Sequence, residues 1–117
     1  MKPGDVLLAM MDQADGREKK RPVIFLATMA PFNDVLVCGI SSQLQQAVSG
    51  FDELIKPADE DFPSSGLRCE SIVRLGFLAV YPPSRFAGAL GRISDERLKR
   101  LLMRLGTHFT ILSTQLP

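Results

Sequence analysis

The residues best suited to chemistry are four cations within five positions, directly ahead of an apolar stretch: Arg17, Lys19, Lys20 and Arg21. The next residue is Pro22, and a residue that precedes proline is restricted to extended geometry. Arg21 is therefore expected to be held as the first residue of a strand, with its planar guanidinium available to phosphate oxygens. The pattern predicts an anion-binding site at this strand, although a solvated loop before a core strand would show the same residues.

A neighbouring strand is expected to bring hydroxyl groups to this arginine. Two apolar runs, 22–29 and 34–41, are separated by a short turn, which is typical of a β-hairpin. With the turn centred between the runs, Arg21 faces Ser41 or Ser42. A slip of one residue in the register exchanges the two serines, and the sequence leaves that choice open.

The elements around the hairpin are predicted to be short strands. They cover residues 4–11, 22–29, 34–41, 51–57, 67–75 and 77–82. The last two are either separate strands or one strand that continues through a bulge at Gly76. Polar loops are expected at 12–20, which turns at Asp15 and Gly16, and at 59–66. Short connections favour antiparallel pairing and a closed or nearly closed small barrel.

The C-terminal part changes to a helical period. One helical face carries four leucines, Leu98, Leu101, Leu102 and Leu105. Ser94 is the expected N-cap, and Gly106 the left-handed residue that ends the helix. The prediction is a helix near 94–105, followed by a tail that forms either a final strand or an irregular cover.

Length and composition limit the classes of protein to which the chain can belong. The 117 residues suit a single domain, 1–117, and no apolar run is long enough for a membrane span. The net charge of +1 does not by itself point to nucleic acid. We expect Cys38 and Cys69 to be reduced core thiols of a cytoplasmic protein. His108 is the sole histidine, so neither a two-histidine ribonuclease nor a metal site is expected.

Charge is also segregated further along the chain. Residues 52–61 carry an acidic stretch, and residues 97–104 carry a second basic block. This separation is compatible with an anionic ligand on one face, and equally with two independently solvated surfaces.

Five segments, taken in order, resemble the PemK/MazF group of toxins from toxin–antitoxin pairs. They read PGDVLL, KKRPVIFLAT, DVLVCGISSQ, GLRCESIVRL and GRISDERLKRLLMRL, and they run through residues 2–105. The resemblance implies a mainly β, SH3-like antiparallel barrel of the CcdB/MazF type, with about five to seven strands and a C-terminal helix.

The resemblance also implies an activity. Such proteins are toxins of type II systems that cleave single-stranded RNA by attack of its 2′-hydroxyl, with no metal or other cofactor. By position in the motifs, the catalytic residues are Arg21, Ser41 and Arg74. The implied RNA-binding residues are Arg17, Lys19, Lys20, Ser42 and Gln43. The implied partners are a cognate antitoxin with an acidic tail and a second copy of the chain, which would be covered at Phe77, Val80 and Tyr81.

Two departures from the family pattern keep alternatives open. Gly76 stands where some members have Asp two residues after the arginine, and residues 10–16 lack the usual Phe-Pro-Phe-like stretch. A non-catalytic binding module and a toxin directed at DNA gyrase are the alternatives. Asp5 and Glu70 are the candidate general bases.

Overall fold

The structure is a computed structural model, and it describes residues 1–12 and 14–117. Its strands are β1 (Asp5–Asp12), β2 (Glu18–Met29), β3 (Asp34–Ser41), β4 (Glu53–Ile55), β5 (Ser71–Tyr81) and β6 (Phe86–Arg92). The two α-helices are α1 (Phe62–Ser65) and α2 (Asp95–Thr114). Single 3-10 turns occupy 44–46 and 83–85. The mainly β fold with a C-terminal helix is therefore confirmed.

The strands form one antiparallel sheet in the order β4-β5-β3-β2-β1-β6. Among the described residues no ladder joins β4 to β6, so the sheet is not closed, although the fold is compatible with a small barrel. Helix α1 packs on the β6 edge instead, where the Ser64 hydroxyl donates to the Arg92 carbonyl at 2.9 Å. A Cβ at Gly91 would overlap the Ser64 carbonyl, so this approach requires glycine.

Two hydrophobic clusters stabilise the sheet, one on each face. The central strands contribute side chains to both clusters, because their side chains alternate between the two faces. In β1, Val6 packs into the cluster that includes Leu101 and Leu105 of α2, whereas Leu7 packs into the second cluster. Successive side chains of a strand point to opposite faces. Strands buried on both faces are expected to read as near-continuous apolar runs, and residues 22–29 of β2 show this pattern.

Helix α2 begins as predicted and ends later. The Ser94 hydroxyl accepts a hydrogen bond from the Arg97 N–H at 3.1 Å, which is the expected cap. The predicted end at Gly106 is wrong, because the helix continues to Thr114. Glycine in a helix costs only about 1 kcal/mol, and the Thr110 hydroxyl donates to the Gly106 carbonyl at 2.8 Å. The tail is thus neither a strand nor an irregular cover.

Several other boundaries differ from the predictions. Strand β2 begins at Glu18, so Arg21 lies inside the strand and is not its first residue. Strand β5 begins at Ser71, later than predicted. It continues as one strand through a bulge to Tyr81, so the second of the two alternatives is confirmed. Residues 59–66 include α1, and β6 was not predicted because its sequence is glycine-rich and mostly exposed. Gln13, in the predicted polar loop, lies outside the described residues. No helix in the described part of the chain is long and apolar enough to span a membrane.

The segregated charge of the sequence is largely neutralised by pairing. Arg97 of α2 is 5% exposed and forms ion pairs with Asp61 at 2.7 Å and with Glu53 at 2.9 Å. Asp59 also pairs with Arg97, and Arg100 pairs with Glu53. The acidic stretch and the second basic block therefore form a structural ion network. They are neither an anion-binding face nor two independently solvated surfaces.

This network predicts a loss of stability in acid. Hydrogen bonding to Arg97 lowers the pKa of Asp61 to about 2 from 3.8. Because the folded-state pKa lies below the unfolded one, the stabilisation is present above pH 4 and is lost as the pH falls toward 2. We expect a decrease of on the order of 1–2 kcal/mol in the free energy of unfolding, measured by urea titrations at pH 6, 4 and 2.5. Asp61→Asn should show a flatter profile, and an equal pH response in the two proteins would contradict the assignment.

Candidate functional site

A cleft of about 760 Å³ opens where β2 and β3 separate. The ladder between these two strands ends at the pair Val23 and Gly39. Beyond that pair, β2 stays paired with β1, and β3 stays paired with β5 as far as Ser41. Pro22 lies at this point, and its missing N–H suits a position where a ladder bond is absent.

The register selects one of the two serines left open by the sequence. Met29 pairs with Asp34 at the turn, but an irregularity between Phe25 and Ala27 shifts the pairing by one residue. Extending the Val23–Gly39 register places Arg21 opposite Ser41. Both residues line the cleft, and so do Ser42 and Gln43. The register at the turn, extrapolated without this irregularity, would instead place Arg21 opposite Ser42.

The Ser41 hydroxyl is oriented by its own chain. Its Oγ accepts a hydrogen bond from the Gln43 N–H at 3.1 Å. A hydroxyl has one donor and two acceptor positions, so this contact leaves the O–H free to donate to a ligand in the cleft. Ser41 is thus suited to hold an anionic oxygen close to Arg21.

The opposite wall of the cleft comes from β5. Arg74 pairs with Gly39 across the β3–β5 ladder, and its side chain lines the cleft together with Phe77. The Phe77 ring packs directly on Gly39, where an added Cβ would lie 3.1 Å from a ring carbon. A larger residue at 39 would displace this aromatic wall. Arg74 therefore lies in the same cleft as Arg21 and Ser41.

Sequence reasoning missed four lining residues at and just before the start of β5: Leu67, Arg68, Cys69 and Ser71. Arg68 adds a third guanidinium to the cleft. Cys69 is exposed, so its assignment as a core thiol is wrong, whereas Cys38 is buried as expected. The apparent strand pattern over 67–75 was misleading, because its first four residues precede β5 and three of them border the cleft.

The lining is electropositive. It contains three arginines, Arg21, Arg68 and Arg74, and no Asp, Glu or His among the described residues that form it. Within the described part of the chain, none of these three guanidiniums has a carboxylate within 4.0 Å, and the ion pairs lie elsewhere. Unpaired guanidiniums at a half-enclosed surface favour an anionic ligand such as a phosphodiester.

The remaining cations of the basic block lie outside the cleft lining. Arg17, Lys19 and Lys20 are exposed and lie at the far end of the β1–β2 ribbon, where Lys19 pairs with Met11 and Lys20 with Met10. Side chains alternate along a strand, so Lys20 points to the face opposite Arg21. Their role as RNA contacts stays a prediction.

The candidate general bases and the histidine are not part of this cleft. The Asp5 carboxylate accepts from Arg92 at 3.0 Å, and neither Asp5 nor Glu70 lines the cleft. The His108 ring packs near Phe51, with ring centroids 4.8 Å apart, in keeping with an ordinary packing role. Among the described residues, no group of three His, Cys, Asp or Glu side chains converges as at a metal site.

Comparison with known proteins identifies the family of the chain. No curated protein shows significant sequence similarity to the chain. A family model described as a PemK-like, MazF-like toxin of type II toxin–antitoxin systems matches residues 2–109, which is nearly the whole chain. The chain belongs to the PemK/MazF family of toxins from type II toxin–antitoxin systems.

Proposed function

We propose that this toxin is an endoribonuclease that cleaves single-stranded RNA without a metal ion. The observation that carries the proposal is one cleft that contains Arg21, Ser41 and Arg74. Support comes from the family, whose members are generally ribonucleases. The three residues come from three different strands, so only the folded sheet brings them together.

The reaction is a transesterification within the RNA strand. The 2′-oxygen forms a bond to the adjacent phosphorus, the bond to the 5′-oxygen breaks, and the 2′-proton leaves while the 5′-oxygen gains one. Arg21 and Arg74 stabilise the negative charge that develops on the phosphoryl oxygens. The free O–H of Ser41 donates to one of those oxygens and orients the phosphate. Single-stranded RNA is favoured because the reacting sugar must reach an in-line geometry, and unstacked bases fit beside Phe77.

The proton acceptor is the weakest part of this machinery. No carboxylate or imidazole lies among the described residues of the lining, so we propose that the 2′-proton leaves to water in the open cleft. A positioned base contributes typically about 10²–10⁴-fold to a rate. The wild-type enzyme is therefore expected to be slow compared with a relative that carries the family's aspartate.

The direct test uses purified protein and a long single-stranded RNA in buffer with EDTA. We expect fragments with 2′,3′-cyclic phosphate ends, resolved on denaturing gels and identified by mass spectrometry. A duplex RNA of the same sequence and a DNA strand serve as controls. The duplex keeps the 2′-oxygen out of line with the phosphorus and the 5′-oxygen, and the DNA strand lacks the 2′-hydroxyl. Fragments from the DNA strand, or no fragments from single-stranded RNA at high protein concentration, would refute the proposal.

Gly76→Asp should increase cleavage. An added Cβ at Gly76 meets no atom within 4 Å, so the side chain is accommodated without a clash. The change places a carboxylate two residues after Arg74, as in the family members that the sequence resembles. Gly76 itself does not line the cleft, so we propose that the longer side chain reaches the cleft and accepts the 2′-proton. We expect kcat to rise by about 10-fold or more, at the lower end of the range for general bases, with little change in melting temperature.

Gly76→Asn is the matched control, since it has the same shape without a basic carboxylate. Equal kcat values for the two variants would show that the carboxylate does not act as a base. A pH profile that gains an acidic limb only in Gly76→Asp would support the assignment.

A non-catalytic binding module is the alternative that the base-free lining favours. Such a protein would bind single-stranded RNA in the same cleft and release it uncut. Fluorescence anisotropy with a labelled single-stranded RNA distinguishes the nuclease from the binding module, because binding without fragments identifies the module.

Toxicity in cells with intact mRNA and damaged DNA would instead point to the gyrase-directed alternative.

Membership of a type II toxin family implies a cognate antitoxin. We propose that an acidic segment of this antitoxin occupies the arginine-lined cleft and excludes RNA.

We also propose a cytoplasmic homodimer. Of the residues expected to cover the partner, Val80 is 49% exposed, but Phe77 lines the cleft and Tyr81 packs on the second hydrophobic cluster. Leu78, exposed on β5, replaces them in the proposed contact.

A further inference from the structure

We propose that Asp52 is a positioning residue that holds both walls of the cleft through a single carboxylate. The proposal rests on the proposed function, because the walls matter only if the cleft binds RNA. Asp52 lies outside the lining, and it acts through the placement of Arg74 and Phe77.

Arg74 and Phe77 share the cleft only because β5 is irregular. They are three residues apart, and in a regular strand such residues point to opposite faces. The β3–β5 register changes between Gly39, which pairs with Arg74, and Cys38, which pairs with Leu78. Residues 75–77 are thus an insertion with no pairing partner on β3, and this bulge turns the Phe77 ring toward the side of Arg74.

The backbone N–H of Leu75, in the bulge, needs a hydrogen-bond partner. The Leu75 side chain is 1% exposed in the main hydrophobic cluster, so water has little access to its N–H. Asp52 Oδ1 accepts this N–H at 3.0 Å. Leu75 has no partner in the β3 or β4 ladder. Because an unsatisfied buried N–H is rare and costly, the Asp52 carboxylate satisfies a donor that neither ladder reaches.

The second oxygen of the same carboxylate holds the other wall. Asp52 Oδ2 accepts from the Val48 N–H at 2.9 Å. Val48 ends the 42–48 segment, whose first residues, Ser42 and Gln43, line the cleft on the β3 side. The β5 bulge and this segment are therefore tied to one side chain.

Asp52 is itself firmly anchored. Its backbone N–H donates to the Val48 carbonyl at 2.9 Å, and its carbonyl accepts from Arg104 Nη1 of α2 at 2.9 Å. These bonds fix the backbone of Asp52 against the helix, and the hydrogen bonds from Leu75 and Val48 hold its carboxylate. The arrangement is a fixed support beneath the cleft walls, so its removal should displace the walls and leave the remainder of the sheet in place.

The test is a double-mutant cycle on single-stranded RNA cleavage, with the wild type, Asp52→Ala, Arg74→Ala and the double variant. We expect Asp52→Ala to lower kcat/KM by about 10-fold or more, since small displacements of positioning groups have large rate effects. In the Arg74→Ala background, the same change should cost less than about 3-fold, because coupled residues are not additive. Asp52→Asn keeps an acceptor and should recover part of the rate.

A purely structural role would give a different pattern. Ile93→Val, a buried change outside the cleft lining, controls for lowered stability, and melting temperatures are recorded for every variant. Equal losses from Asp52→Ala in both backgrounds, or a loss matched by Ile93→Val at equal melting temperature, would overturn the proposal.

Nuclear magnetic resonance keeps this proposal separate from the proposed function. In the wild type, the Leu75 amide should be protected from exchange, and in Asp52→Ala it should lose protection while the Arg74 Nε and Phe77 ring resonances shift. If the wild type neither binds nor cleaves RNA, the proposed function fails, and these spectra still decide the positioning role. Unshifted Arg74 and Phe77 resonances in Asp52→Ala would overturn it.

Discussion

Arg21→Ala should lower kcat/KM for single-stranded RNA by about 10²–10³-fold, the cost of removing one preorganised charge-stabilising donor. Arg21 lines the cleft beside Ser41, and no carboxylate in the described part of the chain competes for its guanidinium. Its loss leaves the developing phosphoryl charge with Arg74 and Arg68. Single-turnover cleavage of a defined RNA, followed on gels, measures the change.

The kinetic pattern distinguishes transition-state stabilisation from simple attraction of RNA. Arg21→Ala should act mostly on kcat, because the crowded phosphate carries more charge than the bound substrate. Arg21→Lys keeps the positive charge but loses the planar guanidinium, so its kcat should lie between those of the wild type and Arg21→Ala. Lys99→Ala, which removes one exposed positive charge on α2, is the charge-matched control and should leave kcat unchanged. Cleavage by Arg21→Ala at the wild-type rate would exclude Arg21 from catalysis.

The second large effect concerns stability. Arg97→Ala should lower the free energy of unfolding by about 3–5 kcal/mol, which is the usual cost of removing one partner from a buried ion pair. The Arg97 guanidinium contacts Asp61 at 2.7 Å and Glu53 at 2.9 Å, and both carboxylates are less than 10% exposed. Without the arginine, these two charges remain buried without their main partner. Urea unfolding followed by circular dichroism gives the value.

Arg100→Ala is the matched control for this prediction. Arg100 also pairs with Glu53, but its side chain is 51% exposed, so its loss should cost only about 0–1 kcal/mol. Asp61→Asn in the Arg97→Ala background should recover part of the stability, because it removes one of the stranded charges. Equal destabilisation by Arg97→Ala and Arg100→Ala would mean that burial does not govern the network.

The two predictions address separate parts of the molecule. The network joins β4, the 59–61 segment and α2, whereas the cleft is built from β2, β3, β5 and the segment before β5. Arg97→Ala should therefore retain cleavage in its folded fraction at low temperature. Arg21→Ala should retain the wild-type unfolding curve.

What the sequence alone determined is local. The β2–β3 hairpin follows from two apolar runs around a short turn, and the start of α2 follows from Ser94 as a cap before a helical period. These features depend on residues close together in the chain, so periodicity and turn chemistry are sufficient. The motifs that carry the family resemblance lie mainly on these segments, which is why family membership could be predicted.

Only the tertiary structure decided how the segments meet. The irregularity at residue 26 moves the extrapolated register of Arg21 from Ser42 to Ser41, and the β5 bulge places Arg74 and Phe77 in one cleft. The first irregularity has no local signature, and Gly76 marked the β5 bulge only as one of two alternatives, because each depends on which strand pairs with which. The same holds for Arg97, whose carboxylate partners are 36 to 44 residues away, and for Arg68, which borders the cleft through the path of the chain before β5. Contacts between distant residues are set by the packing of the whole sheet, and no short window of sequence contains that information.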